Sequence, residues 1–355
     1  MKMDRICFAT GSLGEAPVLL DILDSSMSKI DARKLLGYSA AQGLDELREM
    51  IVNLHQLLIT KDNVLITSGG QQSLGIAFDY IAQHTEKILL QEPAYFGAVR
   101  LLKKSKMSVE TFSGFSNLDS ILRRTDAKAV YLTSNFQNPS GECLPDDAKA
   151  AIAGIAREKG ILIVEDNPYD LLYYDNDPRS TLFRSSPENI LYLGSFSKIL
   201  APGLRTGYII GDEKSIKKLK ALKIDEDLFT STLSQQVCLY ALQEKRYLDG
   251  LRKSNKERRD NLLKSFEKYF GQDEGISWSR PEGGIFIQLK FRHIDSEKLV
   301  RIASEKYNLV LESDAYSFFD GKGRNTMRIN FVQNDKEAAE EGIRRLYECV
   351  KGMAD

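Results

Sequence analysis

Between Val64 and about Gly211 the chain alternates short apolar runs with longer, helix-like amphipathic stretches. That alternation restricts the fold more than any other feature. The runs are Val64-Leu65-Ile66-Thr67, Ile88-Leu89-Leu90, Ala129-Val130-Tyr131-Leu132-Thr133, Ile161-Leu162-Ile163-Val164 and Asn189 to Leu193. Each is too short for a helix and nearly all apolar, so as a strand it has to be covered on both faces. Helical crossovers between parallel strands supply that cover. The expected class is α/β: a large domain with a mainly parallel sheet covered by helices.

The chain is long enough for a second unit. It has 355 residues, 42% of them hydrophobic, which suits one large domain and a smaller one. Tyr247 to Phe270 reads as a long charged helix without Pro, bridging toward the C-terminus. Beyond it, Gly283 to Leu289 reads as a strand and Lys336 to Lys351 as an amphipathic helix, giving a smaller α+β domain. The expected division is 1–40 as an N-terminal segment packing with the small domain, 41–260 as the large domain and 261–355 as the small domain.

In open α/β sheets, ligands bind beyond the carboxyl ends of the strands. Asn189 to Leu193 runs into Gly194-Ser195-Phe196-Ser197-Lys198-Ile199-Leu200-Ala201-Pro202-Gly203-Leu204-Arg205. One amine follows two hydroxyls and precedes a guanidinium. The amine can form a Schiff base with an aldehyde. Ser195, Ser197 and Arg205 can hold a phosphate. Pyridoxal 5'-phosphate (PLP) carries both handles.

The other strand ends offer the remaining parts of such a site. Ile161–Val164 leads to Glu165-Asp166-Asn167-Pro168-Tyr169. An ionised Asp166 would keep the pyridine nitrogen protonated; alone, it also reads as a turn residue before Pro168. Ala129–Thr133 leads to Asn138-Pro139-Ser140-Gly141, where Asn138 is held extended before Pro. Asn138 and Tyr169 can both donate to the cofactor's phenolic oxygen, although the Asn-Pro-Ser-Gly run has the composition of an ordinary turn. Ser68-Gly69-Gly70-Gln71-Gln72 follows Val64–Thr67 and opens a helix-like stretch, so its backbone N–H groups suit a phosphate. Its spacing is neither a Walker A loop nor a dinucleotide fingerprint. Tyr95, after Ile88–Leu90, can stack on a flat ring or pack in the core.

Taken in order, these motifs resemble those of the fold type I PLP enzymes, the aspartate aminotransferase superfamily. The likeness is to the aromatic and 2-aminoadipate (kynurenine-type) aminotransferases and the aminotransferase-like half of MocR regulators. It extends from about Ile6 to the end and includes Asn325-Thr326-Met327-Arg328-Ile329-Asn330-Phe331. The resemblance implies Lys198 as the Schiff-base lysine, Asp166 on the pyridine nitrogen, and Asn138 and Tyr169 on the phenolic oxygen. It implies Tyr95 as the stacking ring, and Gly70, Gln71, Ser195, Ser197 and Arg205 as the phosphate cup. Arg328 then clamps the substrate α-carboxylate, with Asn138 and Gly11 also on the substrate. Tyr38, in Leu36-Gly37-Tyr38-Ser39, matches a tyrosine that reaches the partner subunit's phosphate, which implies a homodimer with shared active sites.

The chain departs from the family pattern at two places. Leu311-Glu312-Ser313-Asp314-Ala315-Tyr316 replaces a Pro-Gly pair, and Leu13 stands where Pro is common. Both regions border the substrate side chain in relatives. If Glu312 or Asp314 faces the pocket, a basic or polar amino donor is expected over a dicarboxylic one. If both are solvated, neither matters.

The expected function is PLP-dependent transfer of an amino group from an L-amino acid to a 2-oxo acid. The alternatives are PLP chemistry of another kind on a free amino acid (elimination, cyclisation, deamination or oxidation) and a non-catalytic PLP-binding regulator. The short N-terminal extension speaks against the regulator. The 49 basic and 50 acidic residues give a net charge of −1, so no basic excess points to nucleic acid. No apolar run is long enough to span a membrane, and the charged N-terminus lacks a signal-peptide core. Cys7, Cys143, Cys238 and Cys349 are scattered without metal spacing, as in a reduced, cytoplasmic protein. His55, His84 and His293 lie outside the motifs.

Overall fold

The computed structural model describes residues 4–14, 16–177, 180–244 and 246–354. Its strands are β1 (Ile6–Cys7), β2 (Val64–Thr67), β3 (Lys87–Glu92), β4 (Ser108–Ser113), β5 (Ala129–Leu132), β6 (Leu162–Asp166), β7 (Ile190–Ser195), β8 (Gly207–Ile210), β9 (Ile276–Trp278), β10 (Phe286–Phe291), β11 (Leu309–Val310), β12 (Glu312–Ser313) and β13 (Thr326–Asn330).

Seven of them form one sheet in the order β2-β8-β7-β6-β5-β3-β4. The β4-β3-β5-β6-β7 ladder is parallel, and β8 runs against both of its neighbours. Alternate residues of the central strands enter separate cores. Val64, Ile66, Val130, Leu132, Ile163 and Ile190 pack on one face. Leu65, Ile88, Leu90, Tyr131, Val164 and Leu191 pack on the other. This two-sided burial is why these strands read as continuous apolar runs.

Two strands follow a different logic. The edge strand β4 alternates polar residues with Val109 and Phe112, and only Phe112 is buried; a charged, half-exposed edge is also protected against pairing with other chains. β8 is reversed because the connection 196–206 is too short to hold a crossover helix. That connection carries Lys198 and Arg205 out of the sheet at the end of β7 and back again.

The second sheet is antiparallel, in the order β12-β13-β10-β9, and β1 pairs in parallel with β11. Its register sets Arg328 between Gln288 on β10 and Glu312 on β12. The N-terminal segment divides its contacts. Ile6–Cys7 joins the C-terminal part through β11, while the helix Pro17–Met27 packs against the helices Thr232–Gln243 and Arg246–Phe270. The long helix Arg246–Phe270 also packs on the terminal helix Lys336–Ala354. Among the described residues, no helix is long and apolar enough to cross a membrane.

Candidate active site

The strand ends β2, β5, β6 and β7, the loop after β3, and β10 and β13 converge on a cavity of about 240 Å³. Gly11, Gly70, Gln71, Tyr95, Asn138, Asp166, Tyr169, Ser195, Ser197, Lys198, Arg205 and Arg328 all line it. The sequence motifs, scattered over more than three hundred residues, therefore meet in one place.

Lys198 is held at the first departure of the chain from β7. Its Nζ donates to the Gly11 carbonyl at 2.8 Å. The approach is close enough that a Cβ on Gly11 would lie 2.7 Å from Nζ. The segment is pinned by Asn330 at the end of β13, whose side-chain amide donates to the Thr10 and Ser12 carbonyls. Burial, then the charges of Arg328 and Arg205, lower the Lys198 ammonium to about 8. About a tenth of the amine is therefore unprotonated at pH 7, far more than for a free lysine of pKa near 10.4, which favours its use as a nucleophile and base.

Asp166 ends β6. Its carboxylate accepts a hydrogen bond from the Tyr131 hydroxyl at 2.6 Å. Burial raises its carboxyl to about 6, with the Tyr131 bond opposing the shift. The sign of this shift is testable in the cofactor-free protein. A raised folded-state pKa means full stability below the ordinary carboxyl range near pH 4, and a loss as pH rises through about 6. The loss is about 3 kcal/mol. Asp166→Asn removes it, so denaturant titrations of the two proteins should diverge between pH 4 and 7, with Asn the more stable at the upper end. A difference that does not change with pH would mean that the carboxylate is well solvated.

Gly69 lies against Arg205, and Gly70 against Ser195. Gly69 has φ +91°, and a Cβ there would meet the Arg205 guanidinium at 2.5 Å. Gly70 opens the helix Gly70–Ala82 and faces Ser195. The Ser195 hydroxyl accepts from the Ser197 backbone N–H at 3.2 Å. A helix N-terminus, two hydroxyls and a guanidinium in contact form a site for a dianion.

Arg328 is 4% exposed. Its Nη1 donates to Asn138 Oδ1 at 3.1 Å and its Nη2 to Glu312 Oε2 at 2.5 Å. Its Nε is buried with no partner among the described residues. The guanidinium also lies 4.8 Å from the centre of the Phe286 ring.

Neither acidic residue of the 311–316 loop lines the cavity that holds Lys198. Glu312 is committed to Arg328, and Asp314 is 1% exposed and accepts from the Gln288 amide at 2.7 Å. The expected preference for a basic donor therefore loses its basis. The cause is the antiparallel register, which places Glu312 directly beside Arg328.

Tyr38 is the sequence-predicted site residue that lies away from the cavity. It is 89% exposed, with its ring edge-on to Phe229. Sequence reasoning missed Tyr131, Phe96, Thr133 and Phe286. Tyr131 carried a signal: a hydroxyl in the middle of an apolar strand needs a buried partner, and Asp166 is that partner. Phe96 and Phe286 gave none, because they read as ordinary core residues.

A larger cavity of about 610 Å³ surrounds His55, Asp170 and Arg184. Its ionisable groups are already engaged. His55 Nε2 and the Tyr208 hydroxyl share a bond of 2.6 Å, and burial lowers the imidazole to about 4. Asp170 accepts from Asn135 and Tyr192. The reactive set lies in the smaller cavity.

That set fits PLP. It offers a buried amine of lowered pKa, a dianion site, a buried carboxylate and an arginine with an unmet donor in a single crevice. The fold and the site together define a PLP-dependent enzyme of fold type I. Comparison with known proteins agrees: the profile of the aminotransferase class I and II family matches residues 10–346. The chain belongs to that family and is a PLP-dependent aminotransferase, acting between an amino acid and a 2-oxo acid.

An aromatic-amino-acid aminotransferase of Thermococcus litoralis is 31% identical over 341 residues, covering 90% of this chain and 81% of the relative. A 2-aminoadipate transaminase of Thermus thermophilus is 30% identical over 331 residues, 90% of this chain and 82% of the relative. Among solved structures, the α-aminoadipate aminotransferase LysN of Thermus thermophilus, complexed with N-(5'-phosphopyridoxyl)-L-leucine, superposes with a TM-score of 0.91. It is 28% identical, with 99% of this chain and 93% of that one covered.

Proposed function

We propose that Lys198 is the residue that carries PLP and moves the substrate's α-proton. The observation that carries this reading is its amine: buried, lowered to about 8, and in one cavity with Asp166, Arg205 and Arg328. When bound, PLP supplies an aldehyde that condenses with amines and a protonated ring that accepts electron density from the substrate's α-carbon. The rest of the chemistry belongs to side chains. Lys198 Nζ would take the proton from the α-carbon and return it to the carbon on the far side of the substrate nitrogen, as base and then acid. Asp166 holds a cationic ring nitrogen in a dry site, where charge pairing is strong. Tyr131 keeps that carboxylate oriented. Asn138 and Tyr169 would donate to the phenolic oxygen, and Tyr95 would cover a ring face. Gly70, Gln71, Ser195, Ser197 and Arg205 hold the phosphate. Arg328, with Asn138 and Gly11 beside it, receives the substrate carboxylate.

The test is a half-reaction. Adding an L-amino acid alone to the purified protein should remove the aldehyde-form absorbance, and a 2-oxo acid should restore it. Continuous product formation from the amino acid alone would instead favour elimination, deamination or oxidation. Borohydride should fix the cofactor on Lys198.

The same reading makes the protein a cytoplasmic homodimer and keeps the division at 1–40, 41–260 and 261–355. The exposed Tyr38, next to a Leu36 that is 90% exposed, supports a second copy covering this surface. Its hydroxyl would then donate to the other subunit's phosphate. Tyr38→Phe should weaken cofactor retention roughly tenfold, the scale of one charge-assisted hydrogen bond. Mixed dimers of a Lys198 variant with a Tyr38 variant should hold one intact and one doubly damaged site. Two singly damaged sites would show that each subunit uses its own tyrosine.

A further inference from the structure

We propose that Glu312 is a resident occupant of Arg328, which a substrate carboxylate has to displace in order to bind. The proposal rests on the reading of Arg328 as the carboxylate clamp. Its starting point is a conflict of charge. The Arg328 side chain is 5% exposed, and among the described residues the carboxylate set against it is Glu312, at 2.5 Å. A buried guanidinium left uncompensated is strongly destabilising, so Glu312 completes the substrate-free site. A substrate brings a second carboxylate to the same cation. Two carboxylates sharing one guanidinium repel each other, and two of the five N–H groups of Arg328 are already spent, on Asn138 and Glu312.

Glu312 is placed to leave. Its side chain is 31% exposed, against 5% for Arg328. It lines a second cavity of about 470 Å³ together with Arg100, Lys103 and Arg324. Phe96 lines both that cavity and the one containing Lys198. Phe96 thus forms part of the wall between the two spaces, and the pair Arg328–Glu312 joins a residue lining one to a residue lining the other. Arg324 is already paired with Glu297 at 3.2 Å, which leaves Arg100 and Lys103 as cations for the released carboxylate. The Asp314 carboxylate, the other acid near Arg328, stays on Gln288.

Arg328 therefore has two states: closed on Glu312, or open to the substrate. The apparent affinity for a carboxylate is reduced by the fraction of molecules in the open state. Ligands without a carboxylate do not meet this cost. Glu312 acts as a threshold that only a ligand with further contacts in the cavity overcomes.

The experiment is an equilibrium titration of the holoenzyme with 3-phenylpropanoate, a carboxylate with no amine to react, and with 3-phenylpropan-1-ol. Glu312→Gln should tighten the carboxylate roughly threefold to fivefold, the scale of removing one partly exposed competing ion pair, and leave the alcohol unchanged. Glu312→Ala should tighten it as well, so the result does not hang on one variant. Unchanged or weaker carboxylate binding in both variants overturns the proposal, because a carboxylate that merely holds Arg328 in position would help the ligand. Arg328→Lys separates the two readings. If it fails to weaken the carboxylate, the clamp reading falls and the proposal with it. If it weakens the carboxylate while the Glu312 variants match the wild type, the occupant proposal falls alone.

Discussion

Lys198→Ala should abolish turnover and leave no lysine to which borohydride can fix the cofactor. Two separate losses produce this. The covalent attachment disappears, and so does the base at the α-carbon, whose contribution in other enzymes is about 10²–10⁴-fold. The proposed phosphate-holding residues Gly70, Ser195 and Arg205 are untouched, so PLP should still bind without a covalent bond. The fold should survive too, because among the described residues the Lys198 side chain makes a single hydrogen bond, to Gly11. Added methylamine is expected to restore part of the proton transfer. Labelling of a different lysine by borohydride in the wild type would remove the assignment.

Asp166→Ala is the second large effect, and it should separate chemistry from folding. The carboxylate is buried and costs stability when ionised, since burial raises its pKa to about 6. A carboxylate that is a burden to the fold and still ends a strand in the cavity is what the proposed cofactor role of Asp166 calls for. Its loss should lower kcat by about 10²–10³-fold, the scale of removing one electrostatic contact to charge that develops along a reaction. The melting temperature of the cofactor-free protein should hold or rise. The Tyr131 hydroxyl, left without its acceptor, would moderate that gain. Near-normal turnover would reduce Asp166 to a turn residue before Pro168.

Most of the cofactor site was legible because each part has a local signature. Strand ends are marked by apolar runs stopping at polar residues, and the sheet brings those ends together whatever lies between them. The reversed strand β8 and the edge strand β4 were less legible. Nothing in Gly207–Ile210 itself tells direction; the shortness of the 196–206 connection does. β4 is polar on its open side and lacks the apolar run that marked its neighbours.

Determined by the sequence alone, then, were the parallel core, the order of the strand-end motifs and the amine, carboxylate, hydroxyls and guanidinium groups that meet in the cavity. These follow from residue type and position along a strand. The pairings between distant side chains were decided only in three dimensions. Glu312 reads as a loop acid until β12 lies beside β13 and sets it on Arg328. Tyr131 reads as a core aromatic until β5 and β6 align and its hydroxyl finds Asp166. Gly11 reads as a residue beside the substrate, and its contact with Lys198 follows only once Asn330 pins its neighbours and the amine approaches its carbonyl. Such contacts depend on register and on which elements pack together, and those are set by the burial of the whole core rather than by any local run of residues.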